Sequence, residues 1–352
     1  SGKNNFVKKT AVVILNYNGR HFLKEYLPHL IKYTSDADLI VADNGSTDDS
    51  REFLRNYYPN IDIIRLDKNY GFTGGYNRAI RQIKNELIVL LNSDVRVTEN
   101  WLAPLINTLE SDPSIAMVQP KILNERENKL FDYAGASGGF IDRYGYPFCR
   151  GRIFDKIEED INQYDNIQEV AWATGAALLI RREIYERAGG LDEDFFAHME
   201  EIDLAWRLRN AGYKIMVQPE STIYHVGGGT LDKISPFKTY LNFRNSLFVL
   251  LKNVKGQRLP GKLIVRLCLD GIAGLNYLIK GEGKHFKAIL KAHRNFYKHL
   301  FYFWDKRKKT KLITEQLRIG DENNSGVYPH SIVWSYFGKK LTTFNRLRFN
   351  NN

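Results

Sequence analysis

Asp94 follows the apolar run 87–91, Leu-Ile-Val-Leu-Leu, and a carboxylate at the end of a buried run is placed to meet a ligand. The simplest chemistry for it is a divalent cation bridging the carboxylate and two phosphate oxygens, because Mg2+ or Mn2+ shared with substrate phosphates needs few protein ligands. A turn or capping aspartate is the plain alternative. His225 ends the segment Ile223-Tyr224 and precedes three glycines, so its ring can complete the same coordination shell, an assignment that depends on Asp94. A second group of carboxylates lies in residues 198–209, His-Met-Glu-Glu-Ile-Asp-Leu-Ala-Trp-Arg-Leu-Arg. On a helix Glu201 shares a face with Leu204, Ala205 and Leu208, whereas Glu200 lines up with Asp203 and Arg207. Glu201 is therefore expected to face inward, where apolar neighbours raise its proton affinity and suit it to deprotonate a hydroxyl. Glu200 and Asp203 fit a solvated face with intrahelical ion pairs.

Asp43 closes another short apolar run, where its carboxylate either accepts the imide proton of a pyrimidine or a ribose hydroxyl, or caps the helix that follows. Residues 69–77, Asn-Tyr-Gly-Phe-Thr-Gly-Gly-Tyr-Asn, put glycines before a helix N-terminus, where backbone can approach a diphosphate. The Gly-Lys-Ser/Thr ending of a P-loop is missing, and so is the glycine spacing of a dinucleotide fingerprint.

The elements that must position these residues follow from the pattern. Residues 10–17, 39–42, 61–66 and 87–91 are short apolar runs expected of strands buried on both faces, with helical spacing over 22–33, 48–57 and 76–84 between them. Alternating strands and helices with polar residues at the strand ends predict an open doubly wound α/β sheet, whose ligand sits beyond those ends. Further strands are expected at 115–120, 176–180 and 214–218, and helices near 101–110, 182–188 and 198–211. Residues 124–170 are polar and irregular, and a long connection of that kind inside a domain is more often functional than accidental.

The 352 residues carry a net charge of +11 that is unevenly placed. From residue 231 onward there are 24 Lys and Arg against 7 Asp and Glu, a net of +17, which leaves −6 for residues 1–230. Apolar and aromatic residues recur at helical spacing over 236–254, 259–280 and 284–304 with basic residues between them. Arg266 and Asp270 interrupt the best candidate for a membrane span, so basic amphipathic helices on an anionic membrane surface are expected, with a helical domain packed on the first as the alternative. Tyr240, Asn242, Arg244 and Asn245 are candidates for acceptor binding. Two cysteines make no disulfide framework, and a reducing, cytoplasmic setting on the inner face of the membrane is expected.

Taken in order, residues 12–18, 41–48, 69–77, 91–94, 173–182, 200–207 and 224–225 resemble the family 2 glycosyltransferases, particularly their bacterial rhamnosyltransferase-like branch. The resemblance covers about residues 10–250. It implies a GT-A type nucleotide-diphospho-sugar transferase fold with a doubly wound mixed sheet, and an inverting transfer of a sugar to a glycan or lipid-linked glycan acceptor in surface polysaccharide synthesis. It divides the chain into a catalytic domain over 1–230, with a donor half near 10–98 and an acceptor half near 99–230, and a basic helical region over 231–352. Asn16, Asp43 and Ser93 would hold the nucleotide, with Gly74, Gly75 and Asn77 lining the donor cleft. Asp94 matches the last residue of the family's Asp-x-Asp motif for Mn2+ or Mg2+, and His225 a histidine that can join it. Trp172, Thr174, Gly175 and Asp203 would border the donor sugar and acceptor. Glu201 matches the catalytic base, with Glu200 as the runner-up. Asn92 stands where the metal motif usually begins with Asp, and Glu stands where the base is more often Asp. Deoxythymidine-diphosphate rhamnose is the first donor expected, and a uridine-diphosphate hexose the next.

Two other classes fit less of the chain. A sugar-nucleotide nucleotidyltransferase would want a glycine- and lysine-rich opening after its first strand, which residues 16–20, Asn-Tyr-Asn-Gly-Arg, do not supply. A nucleic-acid-binding protein would use the basic tail but leave Asp94 and Glu201 without a purpose, so no nucleic-acid partner is expected.

Overall fold

Alternate residues of the first apolar run feed two different cores: Ala11 and Val13 pack on one side of the sheet, Val12 and Ile14 on the other. The computed structural model describes residues 7–227 and 235–349. Its first half runs β1 (Thr10–Asn16), α1 (Arg20–Tyr33), β2 (Ala37–Asn44), α2 (Ser50–Tyr57), β3 (Asp62–Leu66), α3 (Gly71–Ile80) and β4 (Leu87–Asn92). After β5 (Val95–Val97), α4 (Leu102–Ser111) and β6 (Ile115–Asn124) come four short strands, β7 (Gly139–Asp142), β8 (Pro147–Cys149), β9 (Arg152–Ile153) and β10 (Lys156–Ile157). The chain returns to the main sheet through β11 (Gln168–Val170), β12 (Ala177–Arg181), α5 (Arg182–Arg187), α6 (Glu200–Asn210) and β13 (Lys214–His225). It ends with α7 (Pro236–Asn253), α8 (Leu259–Ile279), α9 (Gly283–Lys298), α10 (Leu300–Leu317) and β14 (Val327–Tyr328).

The main sheet has the order β11-β13-β6-β12-β4-β1-β2-β3, with β5 paired to β13. The β1–β4 strands run parallel, while β12 enters antiparallel between β4 and β6. This is the mixed doubly wound sheet that the pattern predicts, with the carboxyl ends of β1, β2 and β4 on one edge. The irregular segment 124–170 contains a second sheet of order β10-β9-β8-β7-β14. Its last strand comes from the far end of the chain, so the C-terminal region is not wholly helical.

Two expectations change. The glycines of 69–75 are not a turn before a helix: α3 begins at Gly71, and Gly74 and Gly75 lie inside it. The reason is packing. A Cβ on Gly75 would stand 2.7 Å from Leu15 Cδ1 and 3.0 Å from Asn44 Nδ2, so the helix sits closer to β1 than any side chain allows. The single helix expected over 284–304 breaks at His299, giving α9 and α10.

The boundary expected at 230/231 lies outside the described residues. Past it, α7 joins the same core as the sheet through Leu247, Phe248, Leu250 and Leu251, and Phe248 stacks on Phe303 of α10 at 3.5 Å. Among the described residues, no helix is long and apolar enough to cross a membrane.

Gly75→Val should lower stability by about 1–3 kcal/mol through overpacking, measured as a lower denaturant midpoint. An unchanged midpoint would show that α3 has room against β1.

Candidate active site

Register brings Asp94 and His225 together. β4 stops at Asn92, Asp94 occupies the turn before β5, and β5 pairs antiparallel with β13 so that Val95 faces His225. The Val226 N–H donates to the Asp94 carbonyl at 3.1 Å, closing the turn. His225 Nε2 then lies 3.3 Å from Asp94 Oδ1, and its Nδ1 lies 3.1 Å from Asp132 Oδ2. All three side chains are buried. Burial alone would lower the imidazole, but the Asp132 and Asp94 carboxylates outweigh it and raise its pKa to about 10. Asp132 was not legible in the sequence: it lies in the irregular segment, and nothing in its neighbours marks it as a histidine's partner.

A carboxylate–histidine pair with a second carboxylate orienting the far ring nitrogen is a metal-binding arrangement, in which the outer carboxylate fixes the tautomer and strengthens the ligand. Among the described residues no group of three or more His, Cys, Asp or Glu forms a complete cage. An imidazole so raised holds a proton on Nε2, so a Mn2+ or Mg2+ that takes its other ligands from phosphate and water would have to displace that proton to be held by Asp94 and His225.

The carboxylates of α6 stand on the neighbouring side. Glu200 and Glu201 each have one buried oxygen, Oε2, without a hydrogen-bond partner. Burial raises Glu201 to about 7, although N–H groups of Glu201, Gly175 and Ile202 pull it down. Glu200 is pushed well above the carboxylate range by burial and by the charge of Glu201. The two carboxylates share one titration, with burial favouring the neutral form of each. The Asn92 N–H donates to the Ala176 carbonyl at 2.9 Å, so the strand end that leads to Asp94 and the segment that touches Glu201 are neighbours.

The solvated face expected for Glu200, Asp203 and Arg207 is overturned, because α7 covers it. Asp203 is buried and holds Arg207 Nη2 at 3.0 Å, Lys252 Nζ at 2.8 Å and Asn253 Nδ2 at 2.7 Å. With its oxygens committed to these partners, it does not border a sugar.

The turn before α6 has positive φ at Phe196, His198 and Met199. Asn245 of α7 holds it: its Nδ2 donates to the carbonyls of Phe195, Ala197 and His198 at 3.1, 2.9 and 2.8 Å. Arg244 Nη2 donates to Asp194 and Phe195 carbonyls. Lys252 and Lys306 reach Asp192 at 2.6 and 2.5 Å, and Lys306 also pairs with Asp194. Arg244 and Asn245, expected near an acceptor, are thus fasteners of the loop that leads to Glu200 and Glu201.

On the donor side, Asn16 and Asp43 lie side by side. Asn16 Nδ2 lies 3.4 Å from Asp43 Oδ1 and 3.2 Å from Ser46 Oγ, while Asn16 Oδ1 is a buried acceptor without a hydrogen-bond partner. Asp43 accepts from the Ser46 N–H at 3.3 Å and has Arg51 Nε 3.6 Å away. It does not cap α2, whose Ser50 N–H is taken by Asp48. Ser93 is half-buried beside the same edge.

Other assignments move. Gly74 faces Tyr70 and Arg78, and Gly75 faces β1, so neither is a bare cleft wall. Asn77 donates to the Leu191 carbonyl and accepts from Tyr185 and the Leu191 N–H, tying down the loop before α6. Trp172 is buried, with its indole N–H on the Phe140 carbonyl at 2.8 Å. Thr174 donates its N–H to Gln119 and accepts from Ala176. Gly175 lies between Phe72, 2.9 Å from a Cβ there, and Glu201.

Residues 11–188, half of the chain, match the sequence model described as Glycosyl transferase family 2. The chain is 25% identical over 231 residues to an N-acetylglucosaminyl-diphospho-decaprenol L-rhamnosyltransferase of Mycobacterium tuberculosis, covering 61% of this chain and 75% of the relative. It is 24% identical over 241 residues to the low-salt glycan biosynthesis hexosyltransferase Agl10 of Haloferax volcanii, covering 67% and 73%. Its fold is similar to the crystal structure of GalNAc-T7 with UDP, GalNAc and Mn2+, with a TM-score of 0.54 and 17% identity. That match covers 71% of this chain and 48% of the other, so the chain spans about half of that protein. The likeness is one of architecture, the GT-A fold.

Asn245→Ala removes the donor from the Ala197 and His198 carbonyls and one of the donors from that of Phe195. A loss of about 1–3 kcal/mol in unfolding free energy is expected, as for buried polar groups left unpaired. Full stability in chemical denaturation would show that the turn does not need α7.

Proposed function

Because the chain belongs to glycosyltransferase family 2, in its rhamnosyltransferase-like branch, we propose that it moves a sugar from a nucleoside diphosphate to an acceptor hydroxyl by one in-line displacement that inverts the anomeric carbon. The observation that carries this reading is the Asp94–His225 pair beside the 174–176 segment that touches Glu201. Glu201 takes the proton of the acceptor hydroxyl as its oxygen bonds to the anomeric carbon, and the bond to the diphosphate oxygen breaks. Asp94 and His225 would hold a Mn2+ or Mg2+ ion, which when bound supplies positive charge for the departing diphosphate. Asp132 keeps the His225 ring oriented. Asn16 and Asp43 hold the nucleoside, with Ser93 at the same edge.

Deoxythymidine-diphosphate rhamnose is the donor of first choice and a uridine-diphosphate hexose the second, in line with the rhamnosyltransferase and hexosyltransferase relatives. The acceptor is a glycan or lipid-linked glycan of a bacterial surface polysaccharide. In this reading residues 10–98 serve the donor, 99–230 serve the acceptor, and 231–352 bring the enzyme to the anionic inner face of the cell membrane.

Glu201→Gln should keep donor affinity and lose about 10²–10⁴ in transfer rate, the usual contribution of a positioned base. Glu200→Gln should keep most of the rate, and the reverse result would exchange the two roles. Because the base must be ionised, kcat/KM should fall about tenfold per pH unit below the value of about 7 for Glu201 and level off above it; a profile flat from pH 5 to 8 would remove Glu201 from the mechanism. Chelation should abolish transfer, and Mn2+ should restore it in the wild type but not in Asp94→Ala. Full turnover in excess chelator would end the metal assignment.

A further inference from the structure

Helix α8 packs Leu259, Leu263 and Leu267 on the core yet turns a second apolar face outward. Its interior side carries Arg266 and Asp270, both buried, whose Nε and Oδ1 meet at 2.8 Å. Asp270 also accepts from Tyr146 at 3.0 Å and lies 3.1 Å from His293 Nε2, while Arg266 Nη2 reaches Ser246 Oγ at 2.6 Å. The outer side carries Ile264, Ile272, Leu275 and Ile279, with 63%, 61%, 57% and 85% of their surface exposed, and the exposed Cys268 among them. The steps 264, 268, 272, 275 and 279 are three or four residues, so these side chains form one stripe about 22 Å long at 1.5 Å per residue. A helix that faces water keeps its apolar stripe toward the core.

We propose that this outer stripe of α8 inserts into the surface of an anionic lipid bilayer, lying in the plane of the membrane. The proposal deepens the membrane part of the function above and rests on it for why the enzyme is there. Charge selects the occupant. Residues 236–304 contain thirteen Lys and Arg against two acids, Asp270 and Glu282. Asp270 is buried, whereas Arg258 before the stripe and Lys280, Lys284 and Lys287 after it are exposed. A second copy seated on the same stripe would bring two such positive regions together. A bilayer of acidic lipids supplies apolar matter for the stripe and opposite charge for its basic rim, the pairing that holds interfacial helices. Spanning is excluded for α8 because its inner face is tied to Tyr146, Ser246 and His293.

The test uses the whole chain. Cys149 is buried and Cys268 exposed, so a thiol-reactive, environment-sensitive dye reports from the stripe itself. With vesicles of phosphatidylglycerol and phosphatidylcholine in equal parts, the protein should float with the lipid and the dye emission should shift to the blue; phosphatidylcholine alone should do neither. The double variant Ile272→Glu, Leu275→Glu should bind these vesicles at least tenfold more weakly while turning over donor at the wild-type rate on a soluble acceptor. Lys284→Glu with Lys287→Glu should weaken binding and make what remains less sensitive to salt. Wild-type protein that stays in the aqueous layer would overturn the proposal, as would a double variant that floats undiminished. A blue shift that grows with protein concentration in the absence of lipid would overturn it too, by showing a second copy on the stripe. Flotation without any sugar transfer would instead sink the transferase reading and leave the membrane face standing.

Discussion

One ammonium group organises this enzyme. Lys252 of α7 is buried between Asp192 Oδ2 at 2.6 Å and Asp203 Oδ2 at 2.8 Å, joining the loop before α6 to α6 itself. Three buried charges are tolerable only when each is matched, and here the surplus negative charge is shared with Arg207 and Lys306. Burial pushes Asp192 up, but Lys252 and Lys306 overcome it and hold the carboxylate far below its ordinary range. The pair of glutamates at the start of α6 inherits its position from this arrangement. A loop with three positive-φ residues leads into them, and α7 fastens it.

The C-terminal region is therefore part of the catalytic fold. Asn245 and Arg244 fasten the turn, Lys252 and Lys306 neutralise the loop, and Phe248 with Phe303 fills the space behind it. The same helices turn basic and apolar residues outward. In α8 the Arg266–Asp270 ion pair and Leu259, Leu263 and Leu267 hold the helix to the protein, while a second apolar face is left outside.

Much of this was legible in residue order. Buried runs ending in Asp43 and Asp94 give the parallel half of the sheet, and the antiparallel pairing of β5 with β13 then carries His225 to Asp94. Helical spacing aimed Glu201 at the interior and treated the opposite face of α6 as solvent, yet Glu200 and Asp203 on that face are buried while Glu201 is half-buried. Periodicity describes one helix at a time, and the cover on Asp203 comes from α7, some fifty residues later. Asn77 and Gly75 were misplaced for a related reason: glycines and an asparagine near a strand end look like ligand contacts, yet here they serve close packing and the loop at Leu191. Asp132 was invisible because its meaning lies in a contact with a residue 93 positions away.

The second sheet adds a temporal constraint. β14 runs parallel to β7, with Val327 opposite Ile141, and a Cβ on Gly326 would strike the backbone of Ala171. Residues 139–157 thus wait, on an emerging chain, for a partner synthesised almost two hundred residues later. Contacts of such long range are slow to form and leave strand edges uncovered meanwhile. During biosynthesis, the second sheet therefore reaches its finished form only when the polypeptide is nearly all made.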